Sequence, residues 1–170
     1  SHLSRWRAII PKTKYQAAFW LIVIVVCLAG TGYKLADSSQ QAMGPLLINE
    51  IMASNGAGLA DEDGDYSDWI ELYNSGNQPL NLGGWFLTDD VEQPEKWPFP
   101  DMTRGAGEYL VVFASGKDRR GGPALHTNFR LNSEGEFLGL YRVLDQAFED
   151  VLSPQFPGQL QDVAYGRYGS

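Results

Sequence analysis

The chain has 170 residues and a formal net charge of −8, distributed unevenly: residues 1–33 hold four basic residues and no acid, while residues 34–170 hold nine basic residues against 21 acidic ones, a balance of −12. So acidic a portion, with no basic run longer than Arg119-Arg120, is a poor partner for a phosphate backbone, which counts against nucleic-acid binding. A single cysteine excludes intrachain disulfides and cysteine-based zinc sites, and two histidines, His2 and His126, leave most histidine-dependent enzyme templates without their parts.

In chain order, Arg5, Arg7, Lys12 and Lys14 precede the 19 uncharged residues Tyr15 to Tyr33, centred on the apolar run Phe19 to Leu28. As a helix that run reaches roughly 28 Å, close to the hydrocarbon thickness of a bilayer. Inside lipid a lone segment satisfies its backbone amides only as a helix, so residues 15–33 are expected to form one transmembrane helix. The basic flank orients it with residues 1–14 in the cytoplasm and everything after Tyr33 on the periplasmic or extracellular side. The competing reading is a cleaved signal peptide, with Cys27-Leu28-Ala29 before Gly30 as the cleavage site. Both readings export the remainder. Cys27 is read as a lipid-facing or packing residue, and the polar, small residues 34–45 as a linker closed by Gly44-Pro45.

From Leu46 onward no apolar stretch keeps a helical period for more than about two turns, and Gly and Pro interrupt the chain often, as all-β domains require. Nine strands are predicted: 46–52, 68–74, 85–88, 96–99, 109–114, 129–131, 136–142, 147–151 and 163–165. Turn chemistry at 74–77, 104–107, 132–135 and 154–158 separates them. So many short strands in about 120 residues suit a two-sheet sandwich over 46–170. Ile70 and Leu72 share one face of their strand, and Leu82, Trp85, Leu87, Trp97 and Phe99 supply large side chains for a core. Gly83-Gly84 is expected to turn the chain tightly before Trp85.

Several of these segments carry a family likeness. Ile48-Asn49-Glu50-Ile51-Met52-Ala53-Ser54-Asn55, the run from Asp61 to Asn74, and Leu82-Gly83-Gly84-Trp85-Phe86-Leu87-Thr88-Asp89 resemble the bacterial lamin-tail domain. Tyr109 to Lys117, His126 to Leu131 and Gly135-Glu136 resemble its later strands, in the expected order, so the likeness covers about Leu46 to Arg167. The resemblance implies an immunoglobulin-like β-sandwich with no catalytic residues of its own, of the kind found in larger exported or surface proteins beside carbohydrate-binding, adhesion or spore-coat-type domains. Because the first residue is Ser and the family's modules belong to longer proteins, the chain is expected to be a fragment.

Residues 61–71 contain six acids, Asp61, Glu62, Asp63, Asp65, Asp68 and Glu71, and no base. Asp61, Asp63 and Asp65 have the spacing of a calcium loop, yet the glycine is Gly64 and position 72 is Leu where a bidentate Glu belongs, so the EF-hand pattern fails. A looser Ca²⁺ site over Asp61, Asp63, Asp65 and Asp68 is weighed against a solvated acidic loop, and no other cofactor is expected. Paired carboxylates would also suit glycoside hydrolysis, but no cleft motif accompanies them. Ser115-Gly116-Lys117 resembles the end of a phosphate loop, with Val111 where that loop needs Gly. His126, followed by Thr127-Asn128, lacks a recognisable nucleophile and is read as a loop or strand-edge hydrogen bonder.

The expectation is a non-catalytic, membrane-anchored binding or scaffolding module of the cell envelope, contacting protein or polysaccharide. The acidic loop, Asp61, Glu62, Asp63, Asp65 and Asp68, and the basic one, Lys117, Arg119 and Arg120, are its expected contact surfaces. The alternative is an accessory module of a larger exported enzyme whose catalytic part lies beyond residue 170.

Overall fold

The computed structural model describes residues 44–167. The basic segment 1–14, the apolar segment 15–33 and all but the last two residues of the 34–45 linker lie outside the described residues. Among the described residues there is no helix, and none therefore that is long and apolar enough to cross a membrane.

The described residues form eleven strands: β1 Leu46–Met52, β2 Trp69–Asn74, β3 Leu80–Asn81, β4 Trp85–Thr88, β5 Trp97–Pro98, β6 Thr103–Arg104, β7 Tyr109–Phe113, β8 Leu125–His126, β9 Leu138–Arg142, β10 Ala147–Leu152 and β11 Tyr165–Gly166. They form a five-stranded sheet in the order β11-β1-β2-β7-β8, a four-stranded sheet in the order β10-β9-β4-β5, and a β3-β6 ribbon. All pairings are antiparallel except β7 with β8.

Alternation builds the core. Ile70 and Leu72 of β2, Leu110 and Val112 of β7, Trp85 and Leu87 of β4, and Leu138 and Leu140 of β9 all point inward and are buried. Full burial of such side chains contributes about 1.5–3 kcal/mol each. In β1 the inward residues step from Ile48 to Ile51, because a bulge between Ile48 and Glu50 inserts one residue and so keeps Ile51 on the core side. Gly84 turns the chain before Trp85 at φ 80°, a conformation that favours glycine.

The bulge leaves backbone groups that need partners, and one ion pair supplies them. Asp150 points inward from β10 and accepts the Ile48 N–H at 2.7 Å. Arg167, just past β11, pairs with Asp150 and donates its Nε to the Ile48 carbonyl at 2.8 Å, while its own N–H bonds to the Asn49 carbonyl. The pair therefore ties both sheets together at one edge. Burial pushes the Asp150 carboxyl up, and the Arg167 charge opposes that shift.

Strands β1 and β4 have the predicted bounds. Residues 129–131 do not form a strand: Arg130 makes one isolated bridge to Ser115, while Phe129 and Leu131 bury themselves in the core. Alternating burial in a loop imitates a strand. Conversely β3, β6 and β8 have two residues each, too short to carry a period.

Candidate functional site

Antiparallel pairing decides where the polar loops meet. Met52 at the end of β1 lies opposite Trp69 at the start of β2, and Trp69 lies opposite Phe113 at the end of β7. The 53–68 loop and the chain leaving β7 at 114 thus emerge side by side. This end lies a whole strand, about 20 Å at roughly 3.3 Å per residue, from Leu46, where the chain passes from the linker into β1.

The 53–68 loop braces itself. The buried Asn55 side chain donates to the Leu59 and Ser67 carbonyls at 2.7 and 2.8 Å and accepts the Gly58 N–H at 3.0 Å. Asp61 is its second hub, with a side chain 0% exposed. One carboxylate oxygen accepts the Asp63 and Asp65 N–H groups at 3.0 Å each; the other accepts the Ser67 hydroxyl at 3.2 Å and the Lys117 ammonium at 2.6 Å. Burial alone would raise the Asp61 carboxyl, but Lys117 and these donors outweigh it and hold the group down to about 2.

Lys117 reaches three carboxylates at once: Asp61 at 2.6 Å, Asp63 at 2.7 Å and Asp65 at 2.9 Å. These contacts, that with Asp61 foremost, raise its own pKa. Arg119 spans Glu62 at 3.0 Å and Asp63 at 2.7 Å and is likewise raised, first by Glu62. The two loops, expected as separate surfaces of opposite charge, are bound to each other. Their charges are largely spent within the chain. Arg120 stays outside this network, 3.6 Å from Asp118 and about half exposed.

The same geometry bears on calcium. Oxygen atoms of Asp61, Asp63 and Asp65 lie within 4.8 Å of one another, as the spacing suggested. The Lys117 ammonium, however, sits against all three, where a cation bound by them would sit. Asp68 is not in this group: its Oδ1 accepts the Asn55 N–H at 3.0 Å, and burial raises its carboxyl.

His126 is 0% exposed and stacks on Phe113, with ring centroids 5.3 Å apart. Its Nδ1 lies 2.9 Å from Ser115 Oγ and its Nε2 lies 2.8 Å from a Glu62 oxygen. Glu62 accepts only if Nε2 carries the proton; in a neutral ring with that proton Nδ1 accepts the Ser115 hydroxyl, whose oxygen accepts the Lys117 N–H at 3.2 Å. The bond from His126 lowers the Glu62 carboxyl.

Serine, imidazole and carboxylate in a chain are the parts of a nucleophilic triad. Here Ser115 is buried, and the neighbouring amides are committed: Gly116 N–H to the Phe129 carbonyl and Asp118 N–H to the Thr127 carbonyl, each at 3.0 Å. No amide pair from this turn is left to stabilise an oxyanion. His126 acts as a strut between β8 and the acidic loop. The hydrogen-bonding role of His126 is legible in the sequence but its partners are not: neither spacing nor composition connects it to Ser115, 11 positions away, or to Glu62, 64 positions away.

Two grooves of about 370 Å³ each adjoin this cluster and share Asp68 in their walls. One runs past Tyr66, Ser115 and Arg130, the other past Asn55, Ser133 and Gln161.

A two-sheet β domain whose end loops form a braced polar surface is the architecture of an immunoglobulin-like interaction module. The chain belongs to the lamin tail domain family, whose model matches residues 39–151, more than half of its length. That family suggests a non-catalytic interaction module. No curated protein matches the chain.

Proposed function

We propose that the chain is a membrane-anchored, extracytoplasmic binding module of the cell envelope, contacting protein or polysaccharide through the loop end of its sandwich. The observation that carries this reading is the internally hydrogen-bonded polar surface built by the 53–68 loop and residues 114–120 at the end of β1 opposite Leu46. Such a surface is pre-organised: recognition need not pay the entropy of ordering those loops. The apolar segment 15–33 and its basic flank support the anchor and the orientation. The balance of −12 after residue 33 disfavours nucleic acid. In this reading the module works without a metal, Lys117 supplying the cation that the three aspartates require.

Protease added to intact cells or spheroplasts, and to lysed cells, tests the placement. Digestion of residues 46–170 from outside, with residues 1–14 protected until lysis, is the expected result. A domain cut only after lysis would overturn the reading.

A further inference from the structure

Around the two grooves that meet at Asp68, most polar groups are already bonded. Lys117 is held by three carboxylates, the Asn55 amide by two carbonyls, and Ser115 by His126. Of the charged side chains in the groove walls, two have no ion-pair partner among the described residues, Asp68 and Arg130. Asp68 accepts the Asn55 N–H on Oδ1 and, among the described residues, nothing on Oδ2. Arg130 bonds the Ser115 carbonyl through Nε at 2.9 Å, and neither Nη group has a hydrogen bond among the described residues. The two charges influence each other, since Arg130 lowers the Asp68 carboxyl against the effect of burial, yet no hydrogen bond joins them. Tyr66, 51% exposed, forms part of the same groove wall.

A group that satisfies both must donate to Asp68 and accept from Arg130. The free charges are one of each sign. A cationic ligand would meet the Arg130 fork, and an anionic one would meet Asp65 and Asp68. A neutral group carrying a donor and an acceptor on adjacent atoms fits, and vicinal hydroxyls are such a group. Tyr66 adds a ring face against which the C–H side of a pyranose can lie. The volume of each groove falls within the range of small-molecule sites, about 300–1,000 Å³.

We infer that the groove walled by Tyr66, Asp68 and Arg130 is a binding site for a neutral saccharide, Asp68 and Arg130 sharing a pair of adjacent hydroxyls. The inference rests on the reading of the chain as an interaction module and narrows its ligand class. The assay uses purified full-length chain in a zwitterionic detergent without sugar headgroups. It therefore reads the groove wherever the chain resides in the cell, and fails separately from the envelope reading.

The test is titration with neutral hexasaccharides of glucose, mannose and N-acetylglucosamine, alongside a galacturonate hexamer and a glucosamine hexamer as charged probes, to about 10 mM. Nitrogen-15 spectra resolving the Arg130 side chain provide the readout. At least one neutral probe is expected to bind and shift the Arg130 signals. Asp68→Asn and Arg130→Lys should each weaken it about tenfold, the weight of a hydrogen bond to a charged group, with both variants still showing a cooperative melting transition. Tyr109→Ser, at the other end of β7, should leave binding unchanged. Silence from every neutral probe, preference for a charged one, or binding indifferent to Asp68 and Arg130 would each overturn the inference.

Discussion

Replacing Arg167 with Met removes the partner of a carboxylate that cannot reach water. The Asp150 side chain is 5% exposed and that of Arg167 8%. After the substitution Asp150 keeps the Ile48 N–H, but its charge is unmatched, and the Ile48 carbonyl loses the Arg167 Nε. Breaking one side of a buried ion pair costs about 3–5 kcal/mol. For a domain of this size that corresponds to a melting temperature lower by roughly 10–20 °C. Denaturant unfolding of the full chain, followed by the fluorescence of buried Trp85 and Trp97, measures the loss. The double variant Asp150→Leu/Arg167→Met should recover most of it, because replacing both charges removes the desolvation that the pair opposes. A buried acid without its cation gains from protonation, so the deficit of Arg167→Met relative to wild type should shrink as pH falls from about 7 to 5. A loss below about 1 kcal/mol, or a double variant whose effects merely add, would refute the account of this edge.

Asp61 sets an acid limit. Its folded pKa of about 2 lies below the ordinary 3.8, so its contribution is complete above about pH 4 and is lost as pH falls towards 2. Unfolding midpoints measured across that window should decline in wild type and change less in Asp61→Asn. Lys117→Ala should leave the Asp61, Asp63 and Asp65 carboxylates repelling one another: its melting temperature should drop and be partly restored by millimolar Ca²⁺, whereas wild type should read the same in Ca²⁺ and in chelator. Gly84→Ala should cost about 1 kcal/mol by the same denaturant assay; a Cβ there meets nothing within 4 Å, so the whole cost lies in the φ of 80°.

Much of the scaffold was legible because its signals are local. Apolar alternation marks β1 and β4 to the residue, and Gly83-Gly84 announces the turn into Trp85. The candidate site was half legible. The acidic residues 61–65 and the cations Lys117 and Arg119 stand out in the sequence, but their union does not, because it depends on the end of β7 lying beside the start of β2. The Asp150–Arg167 pair hides for a similar reason: it answers a bulge in β1 that composition does not reveal. Phe129 and Leu131 show the opposite failure, where buried loop residues copy the period of a strand that has no continuous partner. The open charges of Asp68 and Arg130 emerge only once the structure shows the neighbouring ion pairs formed without them.

The proposed function requires the loop end of the sandwich to do the recognising. Hydrogen exchange of the full chain with and without purified envelope polysaccharide from the source cells tests it most directly. Slowed exchange concentrated in residues 55–68 and 114–131 is the predicted footprint. Protection confined to the opposite end, around the 143–146 hairpin turn, or no protection anywhere, would contradict it.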